Sequence, residues 1–136
     1  MPGRRTVLRG AALAPVAGIA LTACSGGSGG GSPATPTAPV DLGAESEVAE
    51  GGAKLYRDQN VVVSRAGNGS LKAFSTICTH AGCAIDRLRG TTLVCPCHGS
   101  EFDAATGQVL RAPATAPLKE LSVKAEDGKI VAGPGA

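Results

Sequence analysis

An all-β fold, a small antiparallel sandwich or barrel, is predicted by three features of this sequence. Its apolar residues come in short runs rich in β-branched side chains, turn formers separate those runs at close intervals, and no apolar stripe follows a helical spacing. The runs occupy residues 61–63, 71–74, 91–94, 109–110, 121–123 and 130–131. The breaks between them carry Gly51-Gly52, Gly67-Asn68-Gly69, Arg89-Gly90, Thr106-Gly107 and Asp127-Gly128, several of them suited to tight hairpin turns. Only two Phe, one Tyr and no Trp are available to fill a core. A domain of this size buries a modest fraction of its surface, so something besides aromatic packing must help to hold it.

Of the 136 residues, about 95 remain for folding once the N-terminal segments are set aside. The boundaries read from composition are 1–23 for an export signal, 24–40 for a linker and 41–136 for one folded domain. The formal net charge of +2 owes three of its positive charges to Arg4, Arg5 and Arg9 in the leader. Without them ten basic face eleven acidic side chains, a net of −1. A domain with no basic run and almost no aromatic residues for base stacking has no means of binding nucleic acid.

In the leader, Arg4-Arg5 precede an apolar stretch over residues 11–23, the layout of a twin-arginine export signal. That stretch has about 13 residues and is interrupted by Pro15 and Gly18, whereas a spanning helix needs about 20. It ends in Leu21-Thr22-Ala23-Cys24, which resembles the lipobox of bacterial lipoproteins and makes Cys24 a lipidation site. An ordinary secretory signal with a stray thiol is the plainer alternative. The expected location is the outer face of a bacterial cytoplasmic membrane, with the lipid on Cys24 as anchor. Residues 25–32 are Gly and Ser only, and residues 33–39 are Pro, Ala and Thr. As a coil, the 16-residue linker would reach about 20–24 Å.

The chemistry lies in two segments, Cys78-Thr79-His80-Ala81-Gly82-Cys83 and Cys95-Pro96-Cys97-His98-Gly99-Ser100, which hold every cysteine and histidine of the domain. Thiolates and imidazoles are ligands that iron and zinc both accept, so a structural Cys₂His₂ zinc site competes with an iron–sulfur site. Spacing disfavours zinc, because Cys78 and His80 have one intervening residue where paired ligands of a single tetrahedral ion usually have two to four.

The pattern Cys-x-His followed by Cys-x-x-His resembles that of Rieske proteins, over residues 41–136 and with its specific weight in these two loops. The resemblance implies a Rieske-type β sandwich or barrel with a cluster-binding subdomain of two loops. It implies a [2Fe-2S] cluster in which Cys78 and Cys95 hold one iron while His80 and His98 hold the other. By likeness to the high-potential branch of the family, Cys83 and Cys97 pair as a disulfide, in keeping with an exported location; the alternative is that Cys97 is a spare ligand. Two neutral imidazoles in place of thiolates raise the potential, into roughly −150 to +300 mV. Ser100 stands where the family's serine hydroxyl donates to a bridging sulfide. Phe102 stands where quinol-oxidising members commonly carry a tyrosine, which implies a midpoint positive but below that of tyrosine-bearing relatives. Residues 111–118 resemble the proline-containing loop that covers the cluster, without its glycine.

The implied activity is one-electron transfer, as the Rieske subunit of a quinol-oxidising cytochrome bc-like complex or a free-standing relative. The small Rieske subunit of an exported molybdenum oxidase, like that of arsenite oxidase, and a zinc-binding lipoprotein are the alternatives. Expected partners are redox proteins, namely a cytochrome or membrane quinol-oxidising complex or a molybdenum subunit, together with the membrane through the lipid. An oxygenase lacks support, since both histidines are used and no second domain can carry a mononuclear iron. No nucleophile beside a general base is legible, so oxidoreductase activity would belong to the complex and not to a catalytic site in this domain.

Overall fold

The structure, a computed structural model, describes residues 33–135. The leader, Cys24 and residues 25–32 of the linker lie outside the described residues. The elements are β1 (Val40–Ala44), a single 3₁₀ turn at Glu45–Glu47, β2 (Ala53–Tyr56), β3 (Val61–Arg65), β4 (Leu71–Ser75), β5 (Arg87–Arg89), β6 (Thr92–Val94), β7 (Glu101–Asp103), β8 (Val109–Arg111), β9 (Glu120–Glu126) and β10 (Lys129–Gly133). They form two antiparallel sheets. A six-stranded base has the order β1-β10-β9-β4-β3-β2, and a smaller sheet has the order β5-β6-β7-β8. The all-β expectation holds; of the two expected loops, the second is the tip of the smaller sheet's β6–β7 hairpin and the first lies between β4 and β5.

Turn chemistry sets the hairpins. Asp127 and Gly128, with φ of 50° and 79°, join β9 to β10. Both central residues then have the positive φ that matches the twist of the flanking strands. At the β3–β4 turn, Asn68 Oδ1 accepts from the Ser70 backbone N–H and hydroxyl, closing an Asx turn. The strand over residues 61–63 reads as an unbroken apolar run because both of its faces are covered. Val61 and Val63 belong to a base core with Leu42, Leu121 and Ile130. Val62, pointing the other way, joins a second core with Phe74, Leu93, Phe102, Cys78 and Cys95.

Arg65 closes the far end of the base. Its guanidinium donates to the Val48 and Glu45 carbonyls at 2.9 and 3.0 Å and lies 3.6 Å from the Glu45 carboxylate. These bonds satisfy carbonyls around the 3₁₀ turn that no strand reaches. At the opposite end, β4 runs out toward the cysteine loops and β9 enters from the Pro-rich segment. The base thus holds both strands that frame the smaller sheet.

Candidate metal centre

Both chemistry-bearing segments fold into the same kind of loop. In the first, the Cys78 N–H donates to the Cys83 carbonyl at 2.8 Å and the Gly82 N–H to the Cys78 carbonyl at 2.9 Å. In the second, the Cys95 N–H donates to the Ser100 carbonyl at 2.8 Å and the Gly99 N–H to the Cys95 carbonyl at 3.1 Å. Each loop therefore opens on a cysteine and turns through a glycine four residues later, Gly82 at φ 75° and Gly99 at φ 79°. A side chain at either glycine would be strained in that left-handed conformation. The first loop stands on the Ile77–Ala84 bridge, and the second is the tip of the β6–β7 hairpin, where Val94 pairs with Glu101.

This geometry sorts the side chains. Cys78 and Cys95 open their loops, point inward and are buried, whereas His80 and His98 stand exposed. The two imidazoles meet edge to face with ring centroids 4.8 Å apart. Cys83 and Cys97 are joined as a disulfide, with Cα atoms 6.5 Å apart, while Cys78 and Cys95 are free. The sulfurs of Cys83, Cys95 and Cys97 lie within 4.8 Å of one another. Because two of these three are bonded to each other, they do not form a three-thiolate site, and Cys97 is not a spare ligand.

The donor set fits an iron–sulfur centre. Burial pushes the Cys95 thiol up from its ordinary range. The backbone N–H groups of Cys97 and His98 oppose this by donating to its sulfur, and the neighbouring Cys78 side chain raises it again. A buried sulfur faced by two amides and a second thiol is poorly served as a thiol. Bound to a metal cation it becomes a thiolate that those same amides stabilise.

The Pro-rich segment closes over both loops. Ala114, buried in the core shared with Cys78 and Cys95, donates its N–H to Ser100 Oγ at 3.0 Å. Ser100 is fully buried, and this bond leaves the proton of its own hydroxyl free to donate. Thr79 Oγ1, one residue from His80, donates to the Ala116 carbonyl at 2.7 Å. Each loop is thus latched to the segment by one hydrogen bond, a role for Thr79 that sequence reasoning missed. The loop glycines were also missed, although the repeated spacing of a cysteine and a glycine four residues on was there to be read.

Phe102 is fully buried and pairs with Leu93 across β6–β7. Around the histidines, residues 79–84, 96–100 and 112–118 contain no Asp, Glu, Lys or Arg. The nearest charge pairing in the small sheet is set back from the tip, where Glu101 is shared by Arg89 at 3.0 Å and Arg111 at 4.0 Å.

Comparison with known proteins agrees with this geometry. A family model described as the Rieske [2Fe-2S] domain matches residues 38–122. The cytochrome b6-f complex iron-sulfur subunit of Chlorobaculum tepidum is 42% identical over 93 residues, 66% of this chain and 50% of that protein. The corresponding subunit of Synechococcus elongatus is 44% identical over 64 residues, 44% of this chain and 34% of that one. This chain thus spans half the length, or less, of these curated relatives. Among solved structures, the plasma membrane Rieske protein of the cyanobacterium Synechocystis superposes with a TM-score of 0.55 at 34% identity, covering 68% of this chain and 97% of that one. A carbazole 1,9a-dioxygenase ferredoxin from Nocardioides aromaticivorans gives 0.52 at 26% identity, over 72% of this chain and 99% of that one.

Proposed function

Because this chain belongs to the Rieske [2Fe-2S] family, we propose that it carries single electrons at the outer face of a cytoplasmic membrane, tethered there through a lipidated Cys24 after twin-arginine export. Its place is as the Rieske component of a quinol-oxidising cytochrome bc-like complex or as a free-standing relative. Cys78 and Cys95 would hold one iron, and His80 and His98 the other. The observation that carries this reading is the equivalence of the two loops, each giving one buried cysteine and one exposed histidine.

When bound, the cluster supplies a one-electron couple. The chain's own residues then have separate tasks. The buried Cys78 and Cys95 would hold the centre against the core, and the Cys97 and His98 amides would stabilise the Cys95 thiolate. The exposed imidazoles bring the other side of the centre to the surface, where a partner can approach. Support for a membrane complex comes from the named relatives and from the uncharged tip, which suits docking by close contact rather than by charge steering.

Anaerobic reconstitution of the purified chain with iron and sulfide tests the assignment. The expected product is coloured and gives an EPR signal when reduced, and a colourless product overturns the reading. Copurification from detergent-solubilised membranes tests the complex, with a cytochrome as the expected partner and a molybdenum subunit as the contrary result. Phe102→Tyr is expected to raise the midpoint by about 50 mV, the scale of part of one hydrogen bond to a charged group in a one-electron couple. Redox titration of both proteins measures it, and an unchanged midpoint counts against a potential-tuning role for this position.

A further inference from the structure

The residues before β1 do not simply trail from the domain. Asn60 Nδ2 donates to the Ala34 carbonyl at 2.9 Å, and Thr35 Oγ1 hydrogen-bonds Ser75 Oγ at 2.6 Å. Ser75 is buried, and its Oγ also accepts the Ile77 N–H at 3.3 Å. Five residues later the chain is held again, beside Gly133, where an added Cβ would lie 3.2 Å from Pro39 Cα. Glycine there lets the chain approach the sheet. Thr35 and Pro36 are half-buried as a result.

The strand register shows where this segment runs. Val40, at the start of β1, pairs with Ala132, and Gly133 at the end of β10 pairs with Ser122 near the start of β9. Leu121 pairs with Ala73 of β4, and Ser75 at the end of β4 pairs with Val61. All of these positions lie along one end of the six-stranded sheet. It is the end from which β4 leaves for Cys78 and to which β9 returns from the Pro-rich segment.

We propose that residues 33–39 form a strap, fastened by Asn60 and Ser75 across the cluster-facing end of the base sheet. The N-terminal tether therefore departs beside the root of the Cys78 loop and not from the β1 edge. Ser75 is three residues from Cys78, a separation of no more than about 11 Å. The strap also shortens the tether. From Cys24 to Val40 the chain could extend at most about 58 Å, but from Cys24 to Ala34 at most about 36 Å. Resting on the reading that Cys24 is lipidated, this moves the point where the tether leaves the domain from the β1 edge to the strands beside the Cys78 loop.

Digestion of the full chain with proteinase K, with mass spectrometry of the N-terminus of the resistant core, tests the strap. The expected core of the unsubstituted protein begins at or before Ala34. Thr35→Val combined with Asn60→Gly removes both fastenings while keeping a residue that accepts the φ of 58° at position 60. In this variant cleavage within residues 33–39 is expected to quicken roughly tenfold or more, so that the core begins at residues 37–40. Thr35→Ser keeps the hydroxyl and is expected to keep the original boundary. Thr35→Val alone, on the strap itself, gives a partial shift should the double variant lose its fold. A core that already begins at Thr37 in the unsubstituted protein, or a boundary unmoved by the substitutions, overturns the proposal. The fastenings lie on the base sheet, so the boundary is read whether or not the protein is coloured. The intact mass of the undigested chain reads Cys24 separately, and an unlipidated Cys24 there counts against the anchor alone.

Discussion

Gly107→Ala is expected to lower stability by about 2–4 kcal/mol. Gly107 sits in the turn after β7 at φ 74°, and a Cβ there would lie 2.7 Å from Cε1 of the Phe74 ring. Two costs combine. The left-handed backbone conformation disfavours any side chain by about 1 kcal/mol, and forcing a methyl against a packed ring costs roughly 1–3 kcal/mol more. The ring cannot easily yield, because Phe74 is buried among Val62, Phe102 and Leu118. Nor can the turn, since the Gly107 N–H donates to Asp103 and its carbonyl accepts from Leu118. For a domain near 100 residues this corresponds to a fall in Tm of roughly 10–25 °C. A thermal melt of the reconstituted protein measures it, and a shift below about 4 °C would show that the turn relaxes away from Phe74.

Gly107 also marks what could be read in advance. The Thr106-Gly107 pair identifies a turn, but only the tertiary approach of Phe74, 33 positions earlier in sequence, shows why nothing larger fits. Strands followed the same division. The apolar runs at 61–63, 71–74, 121–123 and 130–131 became β3, β4, β9 and β10, because burial on one or both faces writes itself into composition. Four strands, β1, β2, β5 and β7, left no such trace. Arg87-Leu88-Arg89 and Glu101-Phe102-Asp103 each place a single apolar side chain, half-buried Leu88 and buried Phe102, between charged neighbours, so three residues carry no periodicity to detect. Their identity as strands comes from pairing with β6, which is a non-local fact.

The centre itself was more legible than the fold around it. Cysteine and histidine are rare enough in this chain that the two loops stand out by composition, the family resemblance joined them into one site, and the free and bonded cysteines fall as that resemblance implied. What spacing could not convey was the support. The Thr79–Ala116 and Ser100–Ala114 bonds join loops to a segment 14 to 37 residues away. They depend on how the smaller sheet folds back, which no local pattern encodes.

Removal of the disulfide by Cys83→Ser with Cys97→Ser is expected to leave the base sheet folded and to loosen the centre. The bond joins the last residue of the first loop to the third residue of the second, and their sequence separation is 14. Closing a loop of about that length in the unfolded chain contributes roughly 3 kcal/mol. Few other contacts could replace it, since the first loop's tip is exposed and is otherwise held by its own backbone bonds and the Thr79 latch. With that constraint gone, chelator-driven bleaching of the visible absorbance is expected to quicken by about a hundredfold, the kinetic equivalent of most of that energy. Serine is the informative choice. Reduction of the native bond would create two new thiols within 4.8 Å of Cys95, and these could take iron in place of His80 or His98. The reduced native protein is therefore expected to lose its EPR signature as well as its stability, whereas the double serine variant keeps the signature and loses only its hold. Equal bleaching rates in native and variant proteins would mean that the two latches to the Pro-rich segment, and not the disulfide, keep the loops together.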